Sequence, residues 1–111
     1  MSLTVGCLLS ACQRRTGDTS RAVDGSLIFA SACARCHGAD GCGGMAMNMA
    51  SKARNFCDPN FQALISDVQI KQTISKGQGM MPAFGDEYND EQLSALVRHI
   101  RTLKSGSAHA P

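Results

Sequence analysis

Five consecutive residues, Cys33-Ala34-Arg35-Cys36-His37, constrain this chain more than any other stretch. Cysteines three apart lie one helical turn from each other and share a face. A helix through this stretch therefore aims both thiols the same way, with an imidazole directly behind them. The remainder of the chain makes such a cluster structurally important. Its 111 residues form one small domain, 43% of them apolar but only 5% aromatic, with no tryptophan. A core that thin calls for a metal, a disulfide or a large apolar cofactor to complete it. Six cysteines fall into three pairs with different surroundings: Cys7 with Cys12, Cys33 with Cys36, and Cys42 with Cys57.

A formal charge of +2, with Lys and Arg scattered and no interleaved aromatics, argues against a nucleic-acid partner. No apolar run reaches the roughly 18 to 20 residues of a membrane-spanning helix, so no transmembrane helix is expected. The N-terminal stretch is apolar and uncharged as far as Gln13, then turns basic and polar. Within it Leu8-Leu9-Ser10-Ala11-Cys12 resembles the lipobox of bacterial lipoproteins, in which cleavage precedes a cysteine that then carries diacylglycerol. It departs from that pattern upstream, where the eleven residues before Cys12 hold no basic segment. The resemblance implies a leader over 1–11 and lipidation at Cys12. An ordinary cleaved secretory signal containing Cys12 is the alternative, and both imply export to the periplasm or to the outer face of a bacterial membrane. Residues 12–22 then read as a polar tether, too rich in Ser, Thr, Gly and Arg to bury a core.

Helical periodicity begins after the tether. Asp24 is an N-cap candidate, and Leu27, Ile28 and Phe29 open an apolar face running towards Cys33. Ser66 and Gln69 form a capping-box pair for a second helix carrying Ile70 and Ile74 at i and i+4, with Gly77 as its stop. A last helix starts at Asn89 or Asp90, and its Leu93, Leu96, Val97, Ile100 and Leu103 fall on one stripe before Ser105 and Gly106. Residues 38–61 and 77–88 between these helices read as irregular loops from their Gly, Pro, Asn and Asp content. Asp86 and Glu87 are expected to supply favourable charge at the start of the last helix. No strand and no internal repeat is evident.

Cys-X-X-Cys-His is the attachment signature of c-type haem. Thiols on one face can add to the two vinyl groups along one side of a porphyrin, with the imidazole of His37 directed at the iron. Zinc held by Cys33, Cys36, His37 and either Cys42 or Cys57 is a rival reading of the same residues. A thioredoxin-like redox pair is disfavoured because no βαβ pattern surrounds the motif.

From Val23 to Lys104 the chain resembles the class I cytochromes c, carried by "DGSLIFASACARCHGADGCGG", "TISKGQGMMPAFG" and "NDEQLSALVRHIRTL" in that order. The resemblance implies an all-α fold of about three to five helices wrapped around one covalently bound haem c, over 23–105, with 106–111 as a tail. The attachment residues map to Cys33, Cys36 and His37. The Met directly before Pro in the distal loop maps to Met81, with Met80 as its neighbour. N- and C-terminal helices are expected to cross at Gly25, against a position where the family has an aromatic and this chain has His99. The implied function is one-electron transfer between redox protein donors and acceptors, without substrate turnover. A thioether and an apolar pocket would both raise the potential. The alternatives are a haem-bearing subunit of a larger oxidoreductase complex, and a ligand-binding or peroxidatic haem protein if the Met81 bond is labile.

The haem leaves Cys42 and Cys57 free in an oxidising compartment, where they are expected to bridge. By loop-closure entropy a ring of about 15 residues is worth up to ~3 kcal/mol. Two separate buried thiols are the alternative. Met45, Met47 and Met49 offer soft thioethers of the kind that select Cu(I), but no histidine accompanies them, and packing of irregular apolar gaps is the favoured role. Arg54 and Asn55 are candidates for hydrogen bonds to haem propionates, or else solvated loop residues. Lys52, Lys71 and Lys76 are candidates for a docking patch, or else ordinary surface. Ser31, Ser66 and Ser94 lack a histidine and carboxylate set for hydrolytic chemistry, and His109 lies in the tail.

Overall fold

A computed structural model describes residues 22–43 and 53–104. The leader, Cys7, Cys12, the tether up to residue 21, Met45, Met47, Met49, Lys52 and the tail with His109 lie outside the described residues.

The N-terminal helical run starts at Asp24, whose carboxylate accepts the Ser26 amide at 2.9 Å. It proceeds as α1 (Gly25–Ile28), a π-helical turn (Phe29–Cys33) and α2 (Ala34–His37). The π turn takes up one extra residue and so changes the phase of the helix beyond it. On a regular helix the eight steps from Phe29 to His37 would leave the two side chains about 80° apart, and absorbing one residue reduces this to about 20°. Both rings accordingly reach Phe56, Phe29 edge-on at 6.1 Å and His37 stacked at 4.5 Å. The apolar face differs from expectation at Leu27, which is 69% exposed while Phe29 is buried. The buried face is the one that carries Gly25 and Phe29 at i and i+4, and Leu27 lies on the opposite side.

α3 (Pro59–Leu64) begins inside the stretch read as loop. Asp58 caps it through the Asn60 amide, and Pro59 occupies the first turn, where its missing N–H has no partner to lose. α4 (Asp67–Lys76) carries the expected Ser66 and Gln69 capping box, buries Ile70 and Ile74, and ends at Gly77. α5 (Asp90–Thr102) is capped reciprocally by Asn89 and Gln92, and buries Leu93, Leu96, Val97 and Ile100. Leu103 sits just past its end and packs partly buried against the core. Asp90 and Glu91 provide the acidic first turn. Asp86 and Glu87 do not, because they lie in an exposed turn before the Asn89 cap. Among the described residues the chain is all-α, and its β pairing is limited to the isolated Gln78 and Met81 bridge.

α1 crosses α5 at Gly25, where a Cβ would collide with the Ala95 carbonyl and come within 2.8 Å of the Leu96 nitrogen. This corrects the expected partner. Gly25 rests on α5 backbone, and His99 lies one turn further on, tilted against Phe29 at 5.0 Å. Backbones this close leave no room for a ring between them. The other end of the core is tied by Gln62, whose side-chain amide donates to the Phe56 and Ile100 carbonyls at 2.8 and 3.0 Å. Arg101 complements it, donating to Gln62, to the Ile65 carbonyl and to the Asp67 carboxylate.

Candidate functional site

His37 ends α2 and is 8% exposed, a polar ring set into the apolar core. Its Nδ1 lies 3.0 Å from the Arg54 carbonyl oxygen. A carbonyl only accepts, so Nδ1 carries the proton and Nε2 keeps its lone pair for a metal. Phe56 stacks on the ring with an interplanar angle of 19°, fixing its plane as well as its tautomer. The chain leaving His37 turns back at once, with the Gly43 amide donating to the His37 carbonyl at 2.8 Å. The returning segment joins it through the Phe56 amide and Gly41 carbonyl, also at 2.8 Å.

Cys33 is half-buried against the core, Cys36 is exposed, and both thiols are free. Burial, with a smaller contribution from Cys36, pushes the Cys33 thiol up to about 11. A thiol that stays protonated at neutral pH is unlike the low-pKa nucleophile of a dithiol redox pair. Cys42 and Cys57 form a disulfide with Cα atoms 4.9 Å apart. That bridge removes the ligands the zinc reading needs, and among the described residues no three His, Cys, Asp or Glu side chains converge as a metal site.

Met81 closes a tight turn in which the Gln78 and Met81 amides donate to each other's carbonyls at 3.1 and 3.0 Å. Gly79, with φ of +58°, supplies the left-handed first central residue of a type II′ turn. Met80 follows it into solvent at 68% exposure, whereas Met81 packs against the core. Beyond Pro82 the loop is tacked to the end of α4, since Phe84 and Gly85 donate to the Ile74 and Ser75 carbonyls at 2.9 and 3.0 Å.

Other sequence candidates make contacts within the protein. Arg54 acts through its carbonyl, with its guanidinium 6.0 Å from the Phe61 ring centre. The Asn55 side chain accepts the Cys57 amide at 2.8 Å. Lys71 pairs with Asp90 and donates to Ser94, so it is committed within the fold, and Lys76 is exposed. Sequence reasoning missed the Arg54 carbonyl and the Phe56 stack. A carbonyl has no residue signature, and the only pointer to Phe56 was its being one of four phenylalanines in an aromatic-poor chain.

The donor set fits a covalently held porphyrin: two unbridged thiols one turn apart, an imidazole with Nε2 free, and an inward-packed thioether. A family described as "cytochrome c oxidase, cbb3-type, subunit III" matches residues 20–100. The chain belongs to this family of c-type cytochromes. Its class I fold and its covalently bound haem c follow from that membership. The cytochrome is 36% identical over 91 residues to the cbb3-type cytochrome c oxidase subunit FixP of Azorhizobium caulinodans, a match covering 81% of this chain and 30% of that protein. The subunit CcoP of Azospirillum brasilense is 28% identical over 94 residues, covering 84% and 32%. The cytochrome thus spans about a third of the length of these oxidase relatives. A cytochrome c6 of Gloeothece citriformis is 30% identical over 77 residues, covering 69% of this chain and 66% of that one. The solved structure of the KustC0563 c-type cytochrome superposes with a TM-score of 0.68 at 33% identity, covering 75% of this chain and all of that one.

Proposed function

We propose that this cytochrome is an exported one-electron carrier in a respiratory chain. Cys33 and Cys36 hold the haem as thioethers, and His37 Nε2 and the Met81 sulfur are its axial ligands. When bound, the haem supplies a one-electron iron couple. The observation that carries the ligand reading is the 3.0 Å contact of His37 Nδ1 with the Arg54 carbonyl oxygen, which fixes the ring and presents the opposite nitrogen to a metal. The Gly79 turn supports the other ligand, because it separates the inward Met81 from the exposed Met80. Asp86 and Glu87, the carboxylates nearest that loop in sequence, are exposed turn residues. Export rests on the lipobox-like Leu8 to Cys12 stretch, with Cys12 as a lipid anchor. No helix among the described residues is long and apolar enough to cross a membrane.

Absorption spectra of both oxidation states, with and without CO, test this reading. Low-spin spectra and no CO binding by the reduced protein are expected. A five-coordinate ferrous form that binds CO at neutral pH, or substantial peroxide turnover, would move the assignment to a ligand-binding or peroxidatic haem protein. A second reading has support in the family match and the FixP identity: the domain serves as the haem-bearing part of a larger oxidase. Native electrophoresis of gently extracted membranes separates the two, since haem co-migrating with a large complex favours the subunit.

A further inference from the structure

We propose that the Cys42–Cys57 disulfide is a positioning element for the proximal imidazole, tuning the reduction potential by holding the Arg54 carbonyl on His37 Nδ1. The proposal rests on the proposed ligation of iron by His37. The imidazole proton is held by a carbonyl 17 residues away in sequence, so the bond depends on the distance between two chain segments. One is the turn leaving His37, which reaches Cys42. The other is the arm from Ala53 to Cys57. A single backbone hydrogen bond, from the Phe56 amide to the Gly41 carbonyl, joins them at 2.8 Å, and the disulfide crosses one residue beyond it on each side.

Both ends of the bridge are prepared in the same way. Asp40 Oδ1 accepts the Cys42 amide at 2.9 Å, and Asn55 Oδ1 accepts the Cys57 amide at 2.8 Å. Each side chain lies two residues before its cysteine, in a local turn that sets the direction of the half-cystine. Phe56 has further anchors in Gln62, Phe29 and Phe61, but these tie it to the helices and not to the turn after His37. The Arg54 carbonyl has His37 as its hydrogen-bond partner in the structure, and its guanidinium is exposed. Across the two segments, the Gly41 bond and the His37 contacts are non-covalent, and the disulfide is the covalent link. A hydrogen bond to Nδ1–H makes the ligand more basic and so favours ferric iron. Loosening the arm should shift the couple towards ferrous iron, that is, to a higher potential.

The test is the Cys42→Ser/Cys57→Ser holoprotein, read by spectroelectrochemical titration and by exchange of the His37 Nδ1 proton in the ferrous state by NMR. The ferrous-to-ferric ratio at a fixed electrode potential should rise several-fold, towards about tenfold, equivalent to ~59 mV for one electron. The Nδ1 proton should exchange faster. A lower thermal midpoint with unchanged potential and unchanged exchange would mean that the bridge is merely structural, and would overturn the proposal. If the double variant fails to mature, a phosphine can open the bridge in the wild-type holoprotein. The S–S bond takes two electrons and two protons to give two thiols, and the phosphine becomes its oxide with oxygen from water. Alkylation then traps the thiols for the same two measurements. Two free thiols in untreated, unfolded protein would also overturn it. A wild-type spectrum lacking low-spin, imidazole-ligated iron would overturn both readings, whereas an unchanged potential beside a normal spectrum overturns this one alone.

Discussion

Replacing Gly25 by alanine adds one methyl group at the point where α1 and α5 touch backbone to backbone. The new Cβ would overlap the Ala95 carbonyl and stand 2.8 Å from the Leu96 nitrogen, where ordinary contact begins at 3.4 Å. These are main-chain atoms of a helix and have no rotamer to escape into. The Ala95 oxygen is nearer still, so the two helices must part by more than about 1 Å. A gap of that size forfeits about half or more of each affected dispersion contact. It opens where Phe29, Leu96 and Ile100 are almost fully buried. Overpacking of this kind costs about 1 to 3 kcal/mol. The higher helix propensity of alanine offsets at most ~1 kcal/mol, and less at the first residue of a helix. We expect a net loss of about 2 kcal/mol, or a fall of roughly 8 to 16 °C in Tm for a domain of this size. Far-UV circular dichroism of the holoprotein during urea and thermal unfolding measures it, with an unchanged urea m-value expected. A Gly25→Ala protein within about 0.5 kcal/mol of wild type would refute the backbone-contact reasoning.

Met81→Ala should give a high-spin, CO-binding haem while Met80→Ala stays low-spin, and equal loss from Met80→Ala with Met81→Ala silent would reverse the ligand assignment. Arg101→Ala should cost about 2 kcal/mol in urea unfolding because it strips donors from the half-buried Ile65 and Gln62 carbonyls. Asp67→Asn, which touches only the exposed end of the same network, should cost under about 1 kcal/mol. Burial holds the His99 imidazole below its ordinary value of 6.5, with the Asp24 carboxylate opposing the shift. The folded state thus favours the neutral ring. Its contribution is present above about pH 6.5 and is lost as the pH falls through the lower folded value. His99→Phe should flatten that part of the acid limb in unfolding midpoints measured between pH 7.5 and 5.5, and an unchanged slope would exclude His99 as its source. Mass spectrometry of membrane-extracted protein should find Cys12 acylated, and soluble material beginning well beyond Cys12 would contradict the lipid anchor.

The sequence by itself determined the helices whose signals are local. Capping boxes at Ser66 and Asn89 and the apolar stripe from Leu93 to Ile100 are short-range patterns, so α4 and α5 form where they were read. The attachment motif was legible for the same reason, since its three residues lie within one turn. Even local signals were overlooked at α3, where Asp58 and Pro59 mark a start inside a loop-like composition. Tertiary structure decided what depends on distance between segments. It set Gly25 on the Ala95 and Leu96 backbone and moved His99 to Phe29. It turned Leu27 outward, because α5 covers only the face of α1 that Gly25 opens to close approach. Above all it brought the Arg54 carbonyl to His37 and laid Phe56 on the ring. No residue type encodes a carbonyl's position, which depends on how a chain segment returns across the core, and so the tautomer of the central imidazole was beyond the reach of sequence alone.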